Sequence, residues 1–354
     1  MDKKVLLMVG PTGLPDRVIQ AMNQQIISHR DEQFAVLSRK LGENLKQIFQ
    51  TKNDVLTLTS SGTGAMEAAV QNCFMPGDEV VVAVLGVFSE RMAKICEAYN
   101  LKVVRVDAQP GTPVTPQQIL ESMSDKTKGV FITHNESSSG VRCDIEAFGK
   151  AISKTDALLV VDSVSALGAM DLQMDNWGVD VVFAGSQKAL MGPPGLALIA
   201  LSDRAWTRAR ETTTPTFYFD LRAAQDIHRI GQHPWTPAVS SVFSLYEATC
   251  MIMEEGLDNV YQRHIRLSNM VIDGMAELGV PLFPRSRSYA SITVNTFAMD
   301  NSPAFVRRLA DEHGVIISGG QDNLNATTFR VGTMGYVSEC DIAAYLYAAK
   351  QILH

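Results

Sequence analysis

The sequence predicts an α/β protein, a large domain around a mostly parallel sheet followed by a small α+β domain. Two short Val-rich runs, 158–161 and 179–184, lack polar alternation, as suits parallel strands buried on both faces. Further strand-like runs at 54–59, 79–84, 102–106, 129–133 and 196–201 are interleaved with helical segments. Beyond about 255, strands and helices leave the βαβ rhythm. The chain accordingly divides into an arm at 1–15, a large domain at 16–254 and a small domain at 255–354.

Composition narrows the function classes. The 354 residues, 46% hydrophobic and 19% charged, suffice for a large core. A formal net charge of -7 gives no basic surface for nucleic acid, and no Lys/Arg run suits lipid headgroups. Cys73, Cys96, Cys143, Cys250 and Cys340 are scattered without CxxC or metal spacing. Reduced thiols in a cytoplasm fit this better than a disulfide framework, and no metal site is expected. The opening residues lack a signal-peptide pattern, and no stretch approaches a membrane-spanning length.

Taken in order, 5–9 reads as a strand or extended arm and Gly10-Pro11-Thr12-Gly13 as a turn. Pro15 opens a helix to about 29, ending in Ser28-His29-Arg30, either a polar helix end or an anion-binding pair. An amphipathic helix spans about 32–49. After strand 54–59 comes Ser60-Ser61-Gly62-Thr63-Gly64, small residues that let a backbone approach an anion at a helix N-terminus. Strand 79–84 leads to Gly86-Val87-Phe88-Ser89 and a helix from about 90, where Phe88 either stacks on a flat ligand or fills core. A helix at about 115–123 precedes strand 129–133 and the polar loop His134-Asn135-Glu136-Ser137-Ser138-Ser139-Gly140. A helix at 145–153 returns the chain to the paired central runs.

Those runs end in chemistry. The first ends at Asp162 and the second at Gly185-Ser186-Gln187-Lys188, so a carboxylate and an amine emerge at the C-terminal sheet edge, where open α/β sheets bind ligands. A partly desolvated Lys can form a Schiff base with a carbonyl. A neighbouring Asp can hold a pyridine nitrogen protonated. Downstream lie a helix at 203–210, a long loop at 212–220 and His233-Pro234-Trp235-Thr236-Pro237. The last segment reads as helix to about 278, strand 291–297, helix 303–313, strand 315–317, Gly319-Gly320-Gln321-Asp322-Asn323 as a mobile loop, Thr328-Phe329-Arg330-Val331-Gly332 as a strand, and a helix from Ser338.

Asp162-Ser163-Val164, Gly185-Ser186-Gln187-Lys188-Ala189-Leu190 and Pro193-Pro194-Gly195, with the motifs above, resemble the class V aminotransferases of PLP fold type I. The resemblance spans nearly the whole chain and is closest to the alanine/serine-glyoxylate group. It implies a mostly parallel seven-stranded sheet in the large domain, with pyridoxal 5'-phosphate held by Lys188 as an internal aldimine and Asp162 beneath the ring nitrogen. It further implies cofactor contacts from Ser61, Gly62, Thr63, Phe88, Ser137, Val164 and Gln187, with Glu136 helping to shape the site. Gly10, Ser137 and Arg330 would meet the substrate, Arg330 by two parallel hydrogen bonds to its carboxylate. Thr236 would reach the phosphate of a neighbouring subunit, making the protein a homodimer with shared sites.

The implied activity is transfer of an amino group from alanine or serine to glyoxylate or pyruvate by a ping-pong mechanism. A phosphoserine or aspartate aminotransferase is the nearer rival, through Ser28-His29-Arg30. A cysteine desulfurase is more distant, because Gln187 stands where those enzymes carry His before the Lys. A non-enzymatic binding subunit would lack Lys188 or Asp162, and both are present.

Overall fold

The computed structural model of the chain describes residues 4–353; the start of the arm, 1–3, and the terminal residue 354 lie outside the described residues. Its centre is a seven-stranded sheet in the order Val55–Thr59, Leu196–Leu201, Val181–Gly185, Leu158–Asp162, Thr127–Thr133, Glu79–Val84, Lys102–Asp107. Leu196–Leu201 runs antiparallel to both neighbours and the other pairings are parallel, which gives the mostly parallel sheet expected. Successive side chains point to opposite faces, so Leu159, Val161, Val182 and Ala184 join one core, while Leu158, Val160, Val181 and Phe183 join another. With a core on each face, the central strands have no solvent side, and their sequences need no polar alternation.

The later part of the chain forms a three-stranded antiparallel sheet in the order Val294–Ala298, Thr328–Gly332, Ser318–Gly319. Leu267, Val271, Phe305, Phe329, Ile342 and Tyr345 lie in its core, drawn from the helices Leu257–Glu277, Ser302–His313 and Glu339–Leu353 as well as the sheet. The arm belongs to this core too: Val5–Leu6 pairs in parallel with Val315–Ile316, and Gly332 donates its N–H to the Leu7 carbonyl at 2.7 Å.

Four elements differ from expectation. The helix after Pro15 is Asp16–Met22 and stops at Asn23, short of Ser28-His29-Arg30. Val87–Ala98 begins earlier than expected, because the Ser89 hydroxyl accepts the backbone N–H groups of Leu85 and Gly86 and fastens the chain ahead of the first turn. Leu221–His228 and Val239–Glu255 are helices that the sequence pattern does not predict. Val239–Glu255 is apolar around much of its circumference, so it carries no single stripe at helical spacing. Gly256, at φ 83°, breaks the chain between it and Leu257–Glu277.

Packing overrides helix propensity at one internal glycine. Gly149 lies within Ile145–Ile152, and a Cβ there would stand 1.8 Å from the Trp177 carbonyl oxygen. Alanine ordinarily stabilises a helix interior by about 1 kcal/mol over glycine. Gly149→Ala is instead expected to destabilise by about 1–3 kcal/mol through overpacking. A denaturant midpoint shifted upward would contradict this contact.

Candidate active site

The C-terminal sheet edge opens onto a cavity of about 140 Å³ lined by Ser61, Gly62, Thr63, Phe88, Ser137, Asp162, Val164, Gln187 and Lys188, together with Met66, Arg91, Asn135 and Ser165. Nine of the sequence-predicted residues therefore meet in one place. Asp162 is carried there as the last residue of Leu158–Asp162, in register with Thr133 on one side and Phe183 on the other. Lys188 follows Val181–Gly185 in a tight turn, with Met191 N–H donated to the Lys188 carbonyl and Gly192 N–H to the Ser186 carbonyl.

Burial dominates the electrostatics. It pushes the Asp162 carboxyl up to about 7 with Glu136 adding to the rise, while the Val164 N–H, Lys188 and Arg91 pull the other way. The Val164 N–H reaches Asp162 Oδ1 at 2.9 Å. Burial and then Arg330 push the Lys188 amine down to about 8, against the pull of Asp162. Lys188 Nζ donates to the Val9 carbonyl at 2.5 Å, so the arm reaches this amine directly. A Cβ on Gly10, at φ +118°, would stand 2.3 Å from that Nζ, which leaves the position to glycine.

A phosphate-sized anion has a ready place at the start of Gly62–Cys73. Ser61 caps this helix, accepting the Gly64 N–H, and the first-turn N–H groups have no helical partners. A Cβ on Gly62 would come 2.9 Å from Val164 Cγ2, so the close approach of cradle and sheet edge depends on glycine.

Phe88 lies in the first turn of Val87–Ala98, fixed by Glu136. That fully buried carboxylate accepts the N–H groups of Phe88 at 3.3 Å and Ser89 at 2.9 Å, and the hydroxyls of Ser89 at 2.8 Å and Ser138 at 2.6 Å. Arg330 flanks the cavity, its Nη1 donating to the carbonyl of Ser137, and burial lowers its guanidinium to about 10.

Arg91 is not among the residues that the sequence motifs predict. It donates to Thr63 Oγ1 at 3.2 Å and lies over the Phe88 ring, 5.0 Å from its centroid. Its signal is the three-residue spacing from Phe88, visible only once the helix is known to begin at Val87.

Thr236 lies elsewhere, exposed beside a separate small cavity with Thr57, Tyr218, His233 and Trp235. Within one chain it does not join the cluster. Arg30 is committed to the same loop, donating to Gln232 Oε1 at 2.8 Å and the His233 carbonyl at 3.0 Å.

Residues 5–345 match the family model for aminotransferase class V. The chain belongs to the class V aminotransferases. It is 33% identical to a serine–glyoxylate aminotransferase of Hyphomicrobium methylovorum, over 98% of this chain and 89% of that one. It is also 36% identical to a protein of a Synechococcus strain named soluble hydrogenase, small subunit, over 99% of this chain and 93% of that one. The crystal structure of an alanine–glyoxylate aminotransferase from a Nostoc species superposes with a TM-score of 0.95 at 27% identity, covering 100% of this chain and 96% of that one.

As a class V aminotransferase the protein is a transaminase of PLP fold type I whose cofactor is pyridoxal phosphate, and the cavity fits that group. Buried acceptors at Asn135 Oδ1 and Gln187 Oε1 have no hydrogen-bond partner among the described residues. A ring nitrogen carrying a proton would give the buried Asp162 a cationic donor, and the helix start would take the phosphate. Among the described residues, no group of three or more His, Cys, Asp or Glu could hold a metal ion, and no helix is long and apolar enough to cross a membrane.

The depressed amine of Lys188 is measurable. In the cofactor-free protein its acetylation rate is expected to rise with pH through a midpoint near 8 rather than the ordinary 10.5, because burial and Arg330 both disfavour the charged form. Arg330→Gln removes one of these and is expected to move the midpoint upward. A wild-type midpoint near 10.5 in mass-spectrometric competition labelling would contradict the burial argument.

Proposed function

We propose that this transaminase moves an amino group from a small amino acid, alanine or serine, to a small 2-oxo acid, glyoxylate or pyruvate, in two half-reactions sharing one site. The supporting observation is that the half-buried Lys188 and the buried Asp162 line one cavity of about 140 Å³, flanked by the guanidinium of Arg330. When bound, pyridoxal phosphate supplies an aldehyde that joins amines and a ring that accepts electrons.

The chain's residues supply the rest. Lys188 Nζ, depressed toward neutrality, takes the proton from the substrate Cα and gives one back in the reverse half-reaction. Asp162 holds a proton on the ring nitrogen. Phe88 offers a flat apolar face, and Ser61, Gly62 and Thr63 hold the phosphate. Gln187, Ser137 and Val164 bound the ring, and Gly10 leaves room above Lys188. Arg330 fixes the carboxylate so that the Cα–H bond is presented to Lys188.

The names of the Hyphomicrobium and Nostoc relatives favour the small acceptor. A phosphoserine or aspartate substrate needs a second cation, and the engagement of Arg30 with the 232–233 backbone and side chain counts against that residue. Cysteine desulfuration needs a reactive thiol at the site, whereas the exposed Cys340 belongs to the first turn of Glu339–Leu353.

The homodimer is part of the same proposal. Phe217 is 75% exposed and stacks on Trp235, next to Thr236, which supports a partner covering this patch and receiving Thr236 at its own phosphate. Sedimentation as a monomer would remove this part.

Absorption of the bound cofactor during single half-reactions tests the substrate choice. Alanine or serine is expected to bleach the visible band and glyoxylate or pyruvate to restore it, with aspartate and phosphoserine slower by about tenfold or more. Fastest reaction with either acidic donor, or sulfide release from cysteine, would overturn it.

A further inference from the structure

Arg330 has five N–H donors, and their partners limit how it can meet a carboxylate. Nε donates to the Gly319 carbonyl at 2.8 Å. Nη1 donates both to the Ser137 carbonyl at 3.0 Å and to Gln321 Oε1 at 2.8 Å. Among the described residues only Nη2 has no partner. A carboxylate taking two parallel hydrogen bonds needs Nη2 together with Nε or Nη1. Both of those are spent, so one acceptor must leave before the fork can form.

The three acceptors differ in how easily they move. Gly319 belongs to Ser318–Gly319, which is paired in register with Phe329 and Arg330. The Ser137 carbonyl belongs to a fully buried loop held by Glu136. Gln321 offers a side-chain oxygen on a half-buried residue between Ser318–Gly319 and the short 3-10 turn Asp322–Leu324. The backbone around it is anchored, Gly320 N–H to the Thr328 carbonyl and Leu324 N–H to the Gln321 carbonyl, both at 2.9 Å. Rotation about side-chain bonds therefore frees Oε1 without moving the chain. An amide oxygen also resembles one oxygen of a carboxylate in shape and accepting power, without its charge.

We propose that Gln321 is a placeholder for the substrate carboxylate: its Oε1 occupies one arm of the Arg330 fork in the resting protein and yields it to the substrate. Gln321 is a positioning residue, holding the guanidinium in plane between turnovers and setting the cost of carboxylate entry. Resting on the reading of Arg330 as the carboxylate site, the inference makes Gln321 a determinant of substrate affinity.

The test is calorimetric titration of the cofactor-loaded protein with propionate, a carboxylate of substrate size that lacks an amine. Gln321→Ala, which removes the competing acceptor, is expected to bind propionate about fivefold tighter, and KM for the amino donor should fall more than kcat changes. Gln321→Glu places a full charge on Arg330 and is expected to weaken propionate by about tenfold or more. Unchanged or weaker binding in Gln321→Ala overturns the placeholder, since a purely supporting contact would lose affinity when removed. Propionate binding unaltered by Arg330→Gln overturns the placeholder and the carboxylate assignment together. The expected ranking of variants without turnover of any amino acid would sink the transaminase substrates proposed above and leave the placeholder standing.

Discussion

Exclusion of water from two ionisable groups of opposite sign is the constraint on which the site depends. Asp162 is 6% exposed at the end of a strand with a core on each face, and Lys188 is half-buried in the turn after the adjacent strand. Burial is the largest cause of both shifts, upward to about 7 for the acid and downward to about 8 for the amine. Both side chains are thereby held near the balance between charged and neutral forms at physiological pH. The sheet makes this arrangement possible: parallel strands buried on both faces end together, and the residues leaving their C-terminal ends line the same cavity.

The surrounding chain closes that cavity from distant parts of the sequence. The arm pairs with Val315–Ile316, continues through Leu7 beside Gly332, and reaches Lys188 through the Val9 carbonyl. Thr12 then ties the arm to the carbonyls of Gln187 and Lys188. Arg330, on the strand that carries Gly332, contacts the loop at Ser137, and Glu136 in that loop holds the helix bearing Phe88. Arm, C-terminal sheet and cofactor cavity are thus one hydrogen-bonded network. Movement of the Thr328–Gly332 strand would be felt at both the Arg330 guanidinium and the Lys188 amine.

The main sheet is legible in the sequence because strands buried on both faces leave unbroken apolar runs, and Asp162 and Lys188 because they interrupt such runs at one edge. Other features leave weaker traces. Val239–Glu255 is too evenly apolar to show a helical stripe. Pairing of Val5–Leu6 with Val315–Ile316 joins opposite ends of the chain and has no local signature. Arg91 is hidden by a helix start displaced by the Ser89 and Glu136 contacts. The segment around Gln321 reads as a loose Gly/Asn-rich loop, yet Ser318–Gly319 is paired and Gln321 itself bonds Arg330. Thr236 is placed within one chain only, and its expected partner belongs to another.

Borohydride reduction of the cofactor-loaded protein, followed by peptide mass mapping, tests the central claim most directly, because it freezes any carbon–nitrogen bond between protein amine and cofactor. The expected result is one phosphopyridoxyl group on the peptide containing Lys188, with none on Lys188→Ala. A stoichiometric adduct on another lysine, or cofactor bound with no reducible attachment to Lys188, would contradict the account.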